Sequence, residues 1–254
     1  MSTFSVDLSS IKQFFTFPFQ DRQSTNRFLI GMALMIAGSI IPLVPMLPAL
    51  GYIYRIMQRT ARGEAPSMPP WEDWGGLFLD GLKLIVIGMA YLLPGSLVMI
   101  GGMAAYFIAV FGVAAAGEGS DASTAMGILM MLAVGVMLLS YIGGMLLSFL
   151  GGVPLPIAAA HAAATGQVSS AFRVRQWSAV LRRVKGDYLL GWVLVFGLIG
   201  LFYLLFVIMY MTIVLCALLP LAAGAMAFWL YLTGGPLFAA IYYTGVQAQE
   251  PTTW

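Results

Sequence analysis

Few side chains in this sequence could do chemistry. One histidine, His161, stands among alanines in "IAAAHAAAT", and four carboxylates (Glu64, Glu72, Asp73 and Asp80) gather around Trp71 and Trp74 in "GEAPSMPPWEDWGGLFLDGLK". An imidazole flanked by alanines leaves room for a flat macrocycle, so His161 is the candidate axial ligand for a haem or chlorophyll. The alternative is an interfacial histidine bonded to headgroups or a backbone carbonyl. Glu72 and Asp73 are adjacent, so on a helix they diverge by ~100° and cannot jointly grip one proton or metal. A lone cysteine, Cys216, excludes an intramolecular disulfide and a Cys-based metal cluster. With one histidine, zinc would need carboxylates, and none lies within an apolar run. No Ser/His/Asp set and no phosphate-cradling Gly-rich loop occurs. The expectation is a chain with no catalytic residues and no metal, and therefore not an enzyme.

The elements that carry these residues are set by composition. The chain is 61% hydrophobic and 9% charged, with mean hydropathy +0.93. No charge occurs from Leu84 to Gly117, from Ala122 to Phe172, or from Tyr188 to Gln249. Each run exceeds the ~20 residues that cross a hydrocarbon core. The fold class expected is all-α, a polytopic membrane bundle. The first 27 residues lack the basic, apolar and small-residue sections of a secretory signal. All twelve Lys and Arg lie between the N-terminus and Arg62, at Lys83, or in 173–185, while "GEGSDAS" has acids only. Lys and Arg mark the cytoplasmic side of short loops. Loops 63–83 and 166–187 are therefore expected inside, with both termini cytoplasmic and the protein multi-pass in the plasma (inner) membrane.

The run from Phe28 to Tyr54 contains Pro42, Pro45 and Pro48. It is either one kinked helix or a tight hairpin, roughly 27–43 and 46–62. "LIGMA" (29–33) resembles "VIGMA" (86–90), with "LLGWV" (189–193) a weaker third copy, and the returning ends also match. Such repetition points to three hairpins and six segments, or five if the first run is one helix. Residues 1–26 read as a cytoplasmic segment, 27–248 as one transmembrane domain, and 249–254 as a cytoplasmic tail. Within the fourth segment, Ser140, Gly144, Ser148 and Gly152 recur every four residues, the pattern of close helix packing in lipid. Gly-Gly and Pro breaks at 151–156 and 234–236 match in position, as broken helices at a carrier's substrate site do. Tyr141, Ser148 and Tyr231 would line such a cavity.

Two amphipathic interfacial helices are expected in the loops. Near 69–82, Trp71, Trp74, Leu77, Phe78 and Leu82 fall on one face. Near 169–185, Ser caps precede a face of Phe172, Trp177, Val180, Leu181 and Val184 with Arg173, Arg175, Arg182, Arg183 and Lys185 opposite. Residues 63–81 carry a net −4 and residues 166–187 a net +4. Arg55, Arg59 and Arg62 share one helix face nearby. Glu72, Asp73 and Asp80 are expected to pair with one or both basic sets. The same residues are the candidate surface for another membrane subunit or for anionic lipid at the cytoplasmic face; nucleic acid is not expected as a partner.

"GYIYRIMQRTARGE" followed by "MPPWEDWGGLFLDGLK" resembles the signature of a prokaryotic membrane family catalogued as domain of unknown function number 4013. The matching positions are Gly51, Tyr52, Arg55, Gly63, Pro70, Trp71, Asp73, Trp74, Asp80, Gly81 and Lys83. The resemblance implies a membrane fold and no assigned activity. The function expected is an accessory or scaffold subunit of a larger membrane complex, or a membrane-organising protein. A carrier or permease for a neutral or amphipathic small molecule is the alternative, and a tetrapyrrole-binding subunit through His161 a third reading.

Overall fold

The computed structural model describes residues 8–116, 122–212, 215 and 217–248, and no strand occurs among them. The acidic loop at 117–121, Cys216 and the tail at 249–254 lie outside the described residues. The chain gathers into two compact units, one of residues 1–86 with 156–254 and one of residues 87–155.

The first unit opens with α1 (Leu8–Thr16) and a 3-10 turn (Phe17–Phe19) that buries Phe17. Helix α2 (Arg22–Ile40) starts at an Asp21 cap, whose Oδ1 accepts from Ser24 N–H at 2.6 Å. The same bond holds the Asp21 carboxyl below the usual carboxylate range. Pro42 forces Ile41 into an extended conformation, Leu43 takes φ +71°, and α3 (Met46–Thr60) begins after Pro45. The run from Phe28 to Tyr54 is therefore two helices rather than one, because two prolines three residues apart leave no helical backbone between them.

Helix α3 lies at the centre of this unit: Tyr52, Tyr54 and Ile56 have no exposed surface. It packs against α2 and against the final helix, labelled α9 (Leu219–Gln247). Phe228 of α9 fills the space where a Cβ on Gly31 would stand. Helix α9 continues through Gly234, Gly235 and Pro236, all of them helical, so the expected break at 234–236 is absent. Tight packing around it accounts for this, since Thr233, Pro236, Leu237 and Phe238 are buried. The helix end α6 (Leu155–Thr165), a 3-10 turn (Val168–Phe172), α7 (Val174–Leu181) and α8 (Lys185–Met211) complete the unit.

The second unit pairs most of α4 (Trp74–Ala116) with α5 (Ala122–Gly152). Cβ atoms added at Gly95 and Gly102 would fall 2.1 Å from Ser148 Oγ and 2.2 Å from Ser140 Cβ. One at Gly144 would fall 2.6 Å from Gly95 O. The stripe Ser140, Gly144, Ser148 thus meets a glycine stripe on α4. A Cβ added at Gly152 would meet nothing within 4 Å, whereas one at Gly151 would fall 2.1 Å from Tyr91 O. The turn at Val153–Pro154 is the one place where the expected break at 151–156 occurs.

Among the described residues, four stretches are long and apolar enough to cross a membrane: Trp74–Ala115, Thr124–Thr165, Lys185–Met211 and Leu219–Gln247. The chain is on this ground an α-helical membrane protein.

Candidate functional site

The acidic, aromatic stretch is built on a backbone crossing. A Cβ on Gly51 of α3 would stand 1.8 Å from Leu77 O, and one on Gly81 of α4 would stand 1.9 Å from Leu47 O. Only glycine at both positions permits this approach. One turn along α3, Arg55 then reaches across to α4. Its Nε lies 2.9 Å from Asp80 Oδ2 and its Nη2 lies 2.7 Å from Asp73 Oδ2, while Lys83 Nζ meets Asp80 Oδ1 at 2.7 Å. Asp80 is the most enclosed member, 13% exposed, and has a cation on each oxygen. Asp73 is 67% exposed.

Asp73 also starts α4. It holds φ +54°, its Oδ1 accepts from Gly76 N–H at 3.1 Å, and its carbonyl accepts from Leu77 N–H at 3.0 Å. This is a side-chain cap on the first turn. The Arg55 hydrogen bond, helped by the Gly76 N–H, holds the Asp73 carboxyl below its ordinary value. A Cβ at Gly76 would fall 2.0 Å from Asp73 Oδ2 and 2.3 Å from Arg55 Nη2, so the glycine keeps this pair intact.

Residues 64–70 are not helical, and Trp71 sits in a bend just ahead of the α4 start. The amphipathic helix expected over 69–82 therefore does not form as a separate element. Pro66, Pro69 and Pro70 supply no N–H and push the residues before them to extended geometry. Trp74 to Leu82 are simply the first turns of α4. Trp71, freed from that helix face, stacks on Tyr52 with ring centroids 4.0 Å apart at 10° and on Trp74 at 5.6 Å. Its Nε1–H donates to Arg27 O at 2.9 Å, Tyr52 O–H donates to Pro69 O at 2.6 Å, and Arg27 Nη1 donates to Met68 O. The stretch is thereby tied to α2, α3 and α4 together. Leu77 is buried, whereas Trp74, Phe78 and Leu82 are 49%, 38% and 44% exposed.

Pairing is narrower than charge counts suggested. Among the described residues, Glu72 makes no ion pair, and neither do Arg59, Arg62, Arg173, Arg175, Arg182 or Arg183. In the basic loop the long helix expected over 169–185 is broken into the 3-10 turn, α7 and a turn at 182–184. Arg173, not a serine, precedes α7, while Ser170 Oγ bonds Gln167 O at 2.7 Å and lies 2.6 Å from Thr165 Oγ1. Trp177, Val180 and Val184 are buried, with Trp177 Nε1–H donating to Ala171 O at 2.9 Å. Phe172, expected inside, is 46% exposed.

His161 is buried, and both ring nitrogens have partners: Nδ1 lies 2.8 Å from Tyr242 O–H, and Nε2 lies 3.1 Å from Gln176 Oε1. Those partners are 81 and 15 residues away, so no local pattern could have shown them. The same holds for Arg27, which reaches Met68 across 41 residues. Among the described residues no three of His, Cys, Asp and Glu gather as a metal cage. An apolar groove of about 590 Å³ lies among Met35, Ser39, Met46, Phe206 and Tyr231. Tyr141 and Ser148 do not line it: Tyr141 is exposed, and Ser148 packs against Gly95.

No curated protein and no solved structure matches this chain. The family described as "Protein of unknown function (DUF4013)" matches residues 34–216, a stretch that includes the Gly51–Gly81 crossing, the Arg55 pairs and the Tyr52–Trp71 stack. The chain belongs to that family.

Proposed function

We propose that the protein is a non-enzymatic membrane component, an accessory or scaffold subunit of a larger membrane assembly or a membrane-organising protein. One observation carries the reading. Helix α4 is free of charge from Leu84 to Ala116, an apolar length of about 50 Å. The hydrocarbon core is ~30 Å thick. Ile100, Ile108, Phe111, Leu139 and Leu150 of α4 and α5 all stay exposed. An apolar helix of that length tilts strongly or is covered by neighbouring protein. Most polar side chains at the Trp71 element support the same reading, because Arg27, Tyr52, Arg55, Trp71 and Asp80 join segments of the chain. In this reading α2 and α3 form a first short hairpin in the membrane, making six segments. Both termini face the cytoplasm, on the side that carries the cations. Purification from native membranes into nanodiscs should retain a stoichiometric partner; a bare chain from every preparation would refute the proposal.

A second reading, carriage of a neutral or amphipathic small molecule, draws on the 590 Å³ groove. Ala223→Trp would fill it and should abolish uptake of such a molecule into vesicles if the reading holds. His161 is better read as a bonded strut than as a tetrapyrrole ligand, since ligation would require it to release Tyr242 or Gln176. Purified protein should accordingly show no Soret or chlorophyll band.

A further inference from the structure

The basic loop has a property the function proposed above does not use. Its cations, Arg173, Arg175, Arg182, Arg183 and Lys185, all stand exposed. None meets a carboxylate among the described residues, and Arg183 alone of the four arginines donates a side-chain hydrogen bond, to Ala248 O. Exposed cations are common, but these stand on a segment that is anchored by its apolar residues. Trp177, Val180 and Val184 anchor the other side of the segment. Val180 lies so close to α9 that a Cβ on Gly245 would stand 2.6 Å from Val180 Cγ1. Arg175 and Arg182 are therefore exposed on a segment whose other side is anchored in the protein.

The loop is also tethered at both ends. It leaves a stretch able to cross a membrane at Thr165 and enters the next at Lys185. Whatever else is present, a lipid surface lies within reach of so short a connection. At its outer edge the order Phe172, Arg173, Val174, Arg175 alternates apolar and cationic side chains, and Phe172 and Val174 are 46% and 56% exposed. Aromatic and aliphatic groups at that level enter the headgroup layer, and cationic side chains beside them are attracted to the lipid phosphates.

We infer that the surface formed by residues 172–183 is a binding site for anionic phospholipid headgroups. Arg175 and Arg182 contribute attraction without being needed for the fold, and Phe172 and Val174 seat the segment among the headgroups. The inference is independent of the scaffold reading: it would survive a chain that purifies alone and could fail in one that keeps a partner.

The test is native mass spectrometry of the full chain, titrated with phosphatidylglycerol and with phosphatidylcholine of the same acyl chains. Each cation near an anionic surface adds a several-fold preference. The apparent Kd should therefore favour phosphatidylglycerol by on the order of tenfold. Arg175→Gln with Arg182→Gln should cut that preference at least ~3-fold. Arg175→Lys with Arg182→Lys should keep most of it, and Arg59→Gln with Arg62→Gln should leave it unchanged. The Gln pair should melt within ~2 °C of the parent; if it does not fold, loss of the preference in the Lys pair overturns the proposal. So would equal binding of the two lipids, a preference untouched by the Gln pair, or one lost equally with Arg59 and Arg62. Equal lipid binding together with tight binding of a soluble acidic peptide would assign the surface to a protein instead.

Discussion

The two charged loops of the first unit use similar residues in opposite ways. In 63–83 a tryptophan stack, the Arg55 ion pairs and the bonds to Arg27 join α2, α3 and α4. In 166–184 one tryptophan is buried and the cations stand clear of every carboxylate among the described residues. The difference follows from what precedes each loop. Gly51 and Gly81 bring two backbones into contact, so a side chain one turn further on, Arg55, cannot avoid its neighbours' carboxylates. Beside the basic loop, Gly245 of α9 meets the apolar Val180 and Val184, and no carboxylate pairs with Arg175 or Arg182 among the described residues. Charge density by itself thus does not tell which loop is internally paired; the placement of carboxylates beside the cations does.

The largest expected effect falls on the crossing. Gly51→Ala or Gly81→Ala sets a methyl against a carbonyl oxygen that cannot move without parting the helices. Each should cost on the order of 3 kcal/mol. The double variant should cost less than the sum, because one separation relieves both clashes. Thermal melts in detergent measure this, and additive losses would mean that the two contacts are independent.

Next comes Arg55→Ala, which leaves Asp80 enclosed with Lys83 as its one remaining partner. Removing one member of a mostly buried pair costs roughly 2–3 kcal/mol, allowing for its partial exposure. Arg59→Ala or Arg182→Ala should stay within about 0.5 kcal/mol. If all three variants melt alike, the Arg55 pairs add nothing and the contrast between the loops fails.

The aromatic stack should outweigh the exposed acids. Trp71→Ala with Trp74→Ala removes the contacts to Tyr52 and the bond to Arg27 O, and should raise hydrogen exchange across 63–83 by roughly tenfold or more. Glu72→Gln with Asp73→Asn keeps the helix cap, since Asn caps as well as Asp, and should change exchange little.

The smallest effect is that of pH. The Asp73 carboxyl titrates below its ordinary 3.8 in the folded chain, held down by Arg55 and Gly76. A depressed folded value means the stabilisation is complete above the unfolded pKa and lost as pH falls through the folded one. Protection of 71–77 should hold from neutral pH to about 4 and decline only below it. In Asp73→Asn that decline should disappear.

Much of this was readable in the residues. Charge-free runs require helices long enough for a membrane, and Pro42 with Pro45 opens the hairpin question, although the prolines alone could not decide it. The Gly51–Lys83 signature is visible as a motif, and so is the pairing of its acids with arginine. What it joins was not visible, because Arg27 meets Met68 and Trp71 across more than forty positions. Helical periodicity also placed Trp71 on the face of Trp74, when three prolines keep it off the helix altogether. At 234–236 the Gly-Gly-Pro sequence suggested a break, and close packing around α9 keeps the helix whole. His161 stands out in the sequence for its alanine neighbours, while its real neighbours, Tyr242 and Gln176, come from other helices.

The most direct test of the inward joint is hydrogen exchange followed at both loops in one protein preparation. Arg55→Gln should speed exchange across 63–83 while leaving 166–184 as it was, and Arg182→Gln should change neither loop. If Arg55→Gln leaves 63–83 as protected as before, or if Arg182→Gln frees its own loop, then the acidic element is not an internal joint and the basic one is not a free surface.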